Sequence, residues 1–207
     1  MLDALAPPRR TESVVRTLSL PDLYSLALPT RTHEGEEAHS ALLPYHDPQV
    51  ASLVWEVKYY ANKRAQKLAG MLLAEALLDI GAEEIGRVVL VPIPIHPKRR
   101  KERGHNQTEL LCKAALREFS RKTSFQYEPD ILVRVRHTAQ QQGLPKHRRL
   151  KNVKNTMAVR AGADVKNRVC VVVDDVATTG ATFAEARRAL KASGASRIHC
   201  VALAGSR

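Results

Sequence analysis

Cysteine is scarce and scattered in this sequence. Cys112, Cys170 and Cys200 are the three cysteines among 207 residues. They form no CxxC, and their odd number and wide spacing disfavour both a disulfide framework and a zinc finger. They read instead as small core residues. Long apolar runs are missing too. No stretch of about 18 apolar residues occurs, so no membrane span is expected. Met1–Arg16 carries acids and prolines and lacks an apolar h-region, so no signal peptide is expected and the default expectation is a cytoplasmic protein. Neither a GxxxxGK followed by Ser or Thr nor a GxGxxG after a strand is present, which excludes a P-loop NTPase and a dinucleotide fingerprint. There is no internal repeat and no low-complexity tract.

Acids are too few to balance the bases. The chain has 33 Lys and Arg against 21 Asp and Glu, a net charge of +12 with His neutral. Residues 96–168 hold 19 of the bases and 6 of the acids, a net +13, which leaves 14 and 15, a net −1, for the rest. A solvated surface would spread the excess along the chain. Its concentration in one central segment points to a polyanionic partner. The composition, 44% hydrophobic and 26% charged, is that of a globular protein able to bury a core without staples.

The periodicity gives an alternating order of elements. Residues 1–46 read as an irregular N-terminal extension punctuated by Pro7, Pro8, Pro21, Pro29 and Pro44, and residues 47–207 as one domain. Asp47-Pro48 marks a helix start, with Asp as N-cap and Pro in the first turn. Val50, Leu53, Val54, Val57, Tyr60 and Ala61 share one face of that helix. A second helix is expected over about Lys63–Ile80, stopped by Gly81. Val88–Val91 reads as a buried parallel strand, Pro92–Gly104 as a loop and Asn106–Phe119 as a helix. Strands are expected at Ile131–Val135, Thr156–Arg160, Val169–Val173 and Ile198–Leu203, with a helix at Thr182–Ser193 stopped by Gly194. Strands alternating with helices imply an α/β fold, a parallel sheet covered on both faces.

The informative stretch is VVVDDVATTGAT, residues 171–182. A buried strand runs into Asp174 and Asp175, then into a loop of small and hydroxylated residues, then into a helix. Ligands of open α/β sheets bind at the carboxyl ends of the strands. A helix N-terminus preceded by Gly and Thr suits a phosphate. Two carboxylates beside a phosphate would repel it unless they take sugar hydroxyls or Mg²⁺. The residues alone therefore point to a sugar phosphate with a metal.

This stretch resembles the phosphoribosyl-pyrophosphate (PRPP) motif of type I phosphoribosyltransferases. VPIPIHPKRRKERGHNQTELL, residues 91–111, resembles the competence-protein-F family of phosphoribosyltransferase-like proteins. Arg136, Thr138, Gln141, Leu144, Arg148, Asn152 and Val153 fall at that family's spacing, and Tyr45, Lys58 and Tyr59 fit its helical lead-in. The family's N-terminal zinc finger is lacking: Pro7-Pro8-Arg9 is followed by Arg10-Thr11-Glu12 and no cysteines. The resemblance covers roughly residues 43–204. It implies a type I phosphoribosyltransferase-like parallel sheet flanked by helices.

It also implies roles. Asp174 and Asp175 would be the catalytic acids on the ribose hydroxyls, holding Mg²⁺ directly or through water. Ala177, Thr178, Thr179, Gly180, Ala181 and Thr182 would wrap the 5′-phosphate. Ile93 would offer a backbone amide to pyrophosphate, as would Ile95, while Pro92 and Pro94 remove donors. Lys98, Arg99, Arg100 and Arg103, with Lys101, would neutralise pyrophosphate or nucleic-acid phosphates. Gln141 and Arg148 lie in a stretch that resembles a mobile loop closing over substrate. Trp55 and Tyr59 lie opposite the apolar face of their helix, where packing against the N-terminal extension is expected ahead of base stacking.

Two functions follow. One is a Mg²⁺- and PRPP-using phosphoribosyltransferase, a pentosyl transferase, with an unnamed acceptor. The alternative is a non-catalytic single-stranded DNA-binding protein of DNA uptake or processing. A homodimer is an open alternative as partner.

Overall fold

The structure, a computed structural model, describes residues 9–28, 39–119, 124–135 and 155–205. Its helices are α1 (Arg10–Thr17), α2 (Leu20–Ser25), α3 (Pro48–Tyr60), α4 (Lys63–Glu83), α5 (Pro97–Arg103), α6 (Gln107–Glu118) and α7 (Ala181–Ala192). Its strands are β1 (Ser40–Pro44), β2 (Val88–Pro92), β3 (Phe125–Tyr127), β4 (Leu132–Arg134), β5 (Met157–Val159), β6 (Val169–Ala177) and β7 (Arg197–Gly205). Five strands form one sheet in the order β1-β7-β6-β2-β3, every neighbouring pair parallel. β4 and β5 form a separate antiparallel pair.

The sheet is buried on both faces because the central stretches of its inner strands are apolar. Successive side chains of a strand point to opposite faces. Val88, Leu90, Val171, Val173, Val201 and Leu203 accordingly join one core with residues of α1, α3, α4 and α6. Val89, Val91, Cys170, Val172, Cys200 and Ala202 join the other, with Phe183, Ala186 and Leu190 of α7 and Leu132 and Met157 of the small pair. The three cysteines are buried and unbonded. Burial lifts the Cys170 thiol to about 11 and the Cys200 thiol to about 12, so both stay protonated at neutral pH.

Several expectations need correction. The stretch read as irregular supplies α1, α2 and the edge strand β1, which pairs with β7 and so belongs to the same sheet. Gly81 does not stop α4. The helix runs on to Glu83, and a Cβ at Gly81 would stand 3.2 Å from the Phe125 ring. The glycine is a packing site for β3, an edge strand the periodicity did not reveal. The segment Pro92–Gly104 contains α5. Tyr60 is exposed, its ring covered by the Arg9 guanidinium 3.7 Å from the centroid. Asp47 does cap α3, its side chain accepting from the Gln49 and Val50 amides.

A buried carboxylate fixes α3. The Glu56 side chain has no exposed surface. It accepts from Thr11 Oγ1 at 2.7 Å, from Asn62 Nδ2 at 3.0 Å and from the Arg9 guanidinium at 3.2 Å. Asn62 also caps α4, so this one group ties α1 to the α3–α4 turn. Burial pushes its pKa up, but the hydrogen bonds from Arg9, Thr11 and Asn62 outweigh that and leave it below the ordinary value. A folded pKa lying below the unfolded one contributes stability above the unfolded value, and that contribution fades as pH falls through the folded value. We expect Glu56→Gln to lower the melting temperature at neutral pH. The gap to wild type should close as the pH is taken below the carboxylate range, about pH 4. Thermal denaturation by circular dichroism across that range checks this, and a pH-independent gap contradicts it.

Candidate functional site

β6 carries the acids at the C-terminal end of the sheet, where β7 and β2 flank it. The strand runs through Asp174 and Asp175 and ends at Ala177, so Ala177 belongs to the strand and not to the loop. Alternation then sends the acids to opposite faces of the sheet. Asp175 follows Val171 and Val173 toward α3 and α6. Asp174 follows Cys170 and Val172 toward the small sheet. Both acids are 6% exposed.

Two residues outside the motif meet Asp175. Lys58 of α3 brings Nζ to 3.2 Å from Asp175 Oδ2. The contact is one of charge, without the alignment of a hydrogen bond. Gln107, the first residue of α6, lies beside the same carboxylate and helps to stabilise its charge. Burial pushes the Asp175 carboxyl up, and Lys58 with its other partners brings it below the usual value. The Lys58 ammonium is correspondingly raised by Asp175.

Asp174 is placed differently. Burial and the adjacent Asp175 hold its carboxyl well above the ordinary range. Its Oδ1 accepts the Asp175 amide at 2.9 Å. The Arg134 guanidinium of β4 feels its charge: burial lowers the Arg134 pKa and Asp174 opposes that. Arg134 Nε donates to the Pro94 carbonyl at 2.9 Å, which ties β4 to the segment after β2. Sequence reading missed Lys58, Gln107 and Arg134 as site residues. Lys58 and Gln107 lie in stretches that carry the family resemblance, but that resemblance gave them no role, and the three come together only through tertiary contact.

The loop after β6 is short. Thr178 is exposed, Thr179 Oγ1 accepts the Ala181 amide at 3.4 Å, and Gly180 caps α7 with φ 72°. A side chain at Gly180 would be strained by that φ, and its Cβ would stand 3.4 Å from His39 Cε1. His39 is itself buried, with its ring 5.5 Å from that of Phe183. Ala181 is buried and Thr182 partly so. The first turn of α7 therefore opens beside the acids, with N–H groups that the helix leaves without internal acceptors.

The segment after β2 departs from expectation. The Ile93 amide donates to the Val173 carbonyl at 2.9 Å, so the sheet ladder has taken the donor expected for pyrophosphate. The Ile93 carbonyl accepts from Asn106 Nδ2 at 3.1 Å and Thr108 Oγ1 at 2.6 Å, which pins the start of α6 to the end of β2. The cations of α5 are not all available either. Arg100 pairs with Glu109, and one of its nitrogens lies 3.1 Å from Glu109 Oε2. Arg103 sits 5.0 Å over the Tyr59 ring and reaches Gln107 Oε1 at 3.4 Å. Arg99 is partly buried and lies where it lowers the Arg134 pKa. Lys98 and Lys101 are exposed. Gln141 and Arg148 lie outside the described residues.

Among the described residues no cluster of three or more His, Cys, Asp or Glu could hold a metal. Asp174 and Asp175 face opposite sides of the sheet and Asp175 is paired with Lys58, so a Mg²⁺ here would take its ligands chiefly from substrate oxygens and water, with at most one of these carboxylates added. No helix among these residues is long and apolar enough to cross a membrane.

The buried pair yields a direct test. Lys58→Met leaves Asp175 uncompensated and should cost about 3 kcal/mol, the lower end for breaking a buried pair because Lys58 keeps some solvent contact. Adding Asp175→Asn should recover part of the loss, since the two side chains act as one unit. Chemical denaturation of the single and double variants measures both, and strictly additive losses contradict the pairing.

Residues 118–207 match the phosphoribosyl transferase domain family. The chain is 34% identical to DNA utilization protein YhgH of Escherichia coli (strain K12) over 155 residues, 73% of this chain and 65% of that protein. It is 33% identical to Competence protein F of Haemophilus influenzae over 116 residues, 56% of this chain and 49% of that one. The chain thus spans just under two thirds of the first of these relatives and about half of the second. A solved hypoxanthine phosphoribosyltransferase from Staphylococcus aureus is 12% identical, with a TM-score of 0.38 over 66% of this chain and 61% of that one, a likeness too slight to add to the sheet order. With its parallel sheet and a strand ending in paired acids, the chain is similar over its C-terminal part to the phosphoribosyl transferase domain family, and over most of its length to the DNA utilization and competence-F proteins.

Proposed function

We propose that the chain binds a ribose 5-phosphate group, as in PRPP, at the C-terminal end of β6. The observation that carries this reading is the turn from the paired acids of β6 through Gly180 into α7. It sets hydroxyl acceptors beside a helix N-terminus suited to phosphate. The 5′-phosphate rests on Thr178–Thr182 and the ribose hydroxyls face Asp174 and Asp175. A Mg²⁺ carried with the ligand would supply charge neutralisation at the diphosphate. In a transfer reaction the bond from the anomeric carbon to pyrophosphate breaks and a bond to the acceptor nucleophile forms. Asp174 and Asp175 orient the ribose for that step. Because the Ile93 amide is engaged in the sheet, cations must supply more of the diphosphate binding than backbone amides do.

Isothermal titration with PRPP and Mg²⁺ tests this. Asp174→Asn and Asp175→Asn should each weaken binding by tenfold or more, about 1.4 kcal/mol. Unchanged affinity in both variants overturns the site. Release of pyrophosphate in the presence of some acceptor establishes transfer.

A second reading, a protein of DNA uptake or processing that binds single-stranded DNA, is supported by α5. That helix carries Lys98, Arg99, Arg100, Lys101 and Arg103 against Glu102 alone. The names of the relatives, DNA utilization and competence, accord with it. Binding of a short oligothymidylate should weaken linearly in log salt, and Lys98→Ala with Lys101→Ala should flatten the slope by roughly 0.7 for each phosphate that is no longer neutralised. An affinity indifferent to salt overturns this reading.

A further inference from the structure

Trp55 and Tyr59 lie one turn apart on α3, on the side away from its buried Val50, Leu53, Val54 and Val57. Their ring centroids are 4.3 Å apart at 46°. Among the described residues of the N-terminal extension, Arg9 packs on Tyr60, and Trp55 is 42% exposed. This indole, the chain's one tryptophan, presents a large apolar face that the described residues leave half open.

Its neighbours are cationic. Arg103 of α5 lies over the Tyr59 ring, so the aromatic pair and the basic helix form one continuous surface. Lys101 and Lys98, two and five residues from Arg103 along α5, are exposed and point to other sides of that short helix than Arg103 does, so the cations surround it instead of lining one face. Lys58, between the two aromatics in sequence, turns the other way to Asp175. The surface therefore borders the acid pair without being part of it.

We propose that Trp55 and Tyr59 form a stacking platform for an unpaired base of a single nucleic-acid strand, whose phosphates follow the cations of α5. This rests on the second reading above and adds the part that senses bases. Proteins that hold single strands combine a cationic track with aromatic faces on which bases stack, and such stacking tolerates any sequence because every base has a π-face. A duplex keeps its bases stacked on one another and cannot offer them to an open platform. A free nucleobase calls for an enclosing pocket with groups for its polar edge. Trp55 offers an exposed face and no enclosure.

The tryptophan is its own probe. The full chain is titrated at low salt with a short fluorescein-labelled oligothymidylate, following Trp55 emission and label anisotropy together. The expected result is quenching that saturates with the anisotropy. Trp55→Leu and Tyr59→Leu should each weaken binding about tenfold, within the span measured for one base on one aromatic. Trp55→Phe should restore most of the Trp55→Leu loss. Melting temperatures should stay near wild type for the Trp55 variants, because the side chain is half open. An abasic oligonucleotide of equal length should bind wild type more weakly and Trp55→Leu no more weakly than the normal strand does. If the strand binds but Trp55 emission is unchanged and Trp55→Leu binds as well as wild type, the platform is overturned while the second reading stands. If the duplex binds as tightly as the single strand with the same quenching, the platform is likewise overturned. If no anisotropy change occurs at all, the second reading itself fails and the platform with it.

Discussion

A buried strand that ends in two acids needs a counter-charge, and the Lys58–Asp175 ion pair supplies it. Without it, Asp175 would be an anion placed in a low-dielectric environment, a state that costs several kcal/mol in real proteins. The pair also explains the asymmetry of the acids. Lys58 reaches the face toward α3 and α6, so Asp175 stays ionised while Asp174, on the other face, is pushed toward its protonated form. Two chemically identical side chains thus acquire different character from the alternation of a strand alone.

The position of Lys58 depends in turn on α3, and α3 depends on Glu56. These residues are two apart in one helix and face different neighbours: Glu56 gathers Arg9, Thr11 and Asn62, and Lys58 meets Asp175. A second set of contacts closes around the site. Tyr59 lies under Arg103, Arg103 reaches Gln107, and Gln107 lies beside the carboxylate that Lys58 neutralises. Helices α3, α5 and α6 and the strand β6 are therefore linked through side chains at the ligand end of the sheet. The close approach of α4 and α6 at Gly70, where a Cβ would stand 2.7 Å from the Ala114 Cβ, leaves no slack behind them.

What the sequence revealed and what it hid divide along physical lines. Runs such as Val88–Val91 and Val169–Val173 announced themselves because burial on both faces demands unbroken apolar residues. Asp47-Pro48 and the loop ending in Gly180 were legible because capping and left-handed backbone restrict residue choice locally. β1 and β3 were not, since an edge strand needs few apolar residues, and Phe125-Gln126-Tyr127 carries no pattern of its own. α5 was read as loop because an exposed basic helix shows no apolar period. The partners of the acids escaped for a different reason. Lys58, Gln107 and Arg134 acquire their roles from tertiary contact, and a lysine on an amphipathic helix looks the same whether it faces water or a buried aspartate.

The anchoring of Ile93 has a consequence for how this surface can change. The chain leaves the sheet at Ile93 and comes back to the same carbonyl at Asn106 and Thr108. Residues 94–105 are thus a closed excursion drawn tight at its neck, with the basic helix at its outer end. Only its outward cations, Lys98 and Lys101, lie clear of the contacts that Pro94, Arg100 and Arg103 make with the rest of the site. Charge can be removed at those two positions while the neck at Ile93, the acid pair and the strand beneath it keep their places.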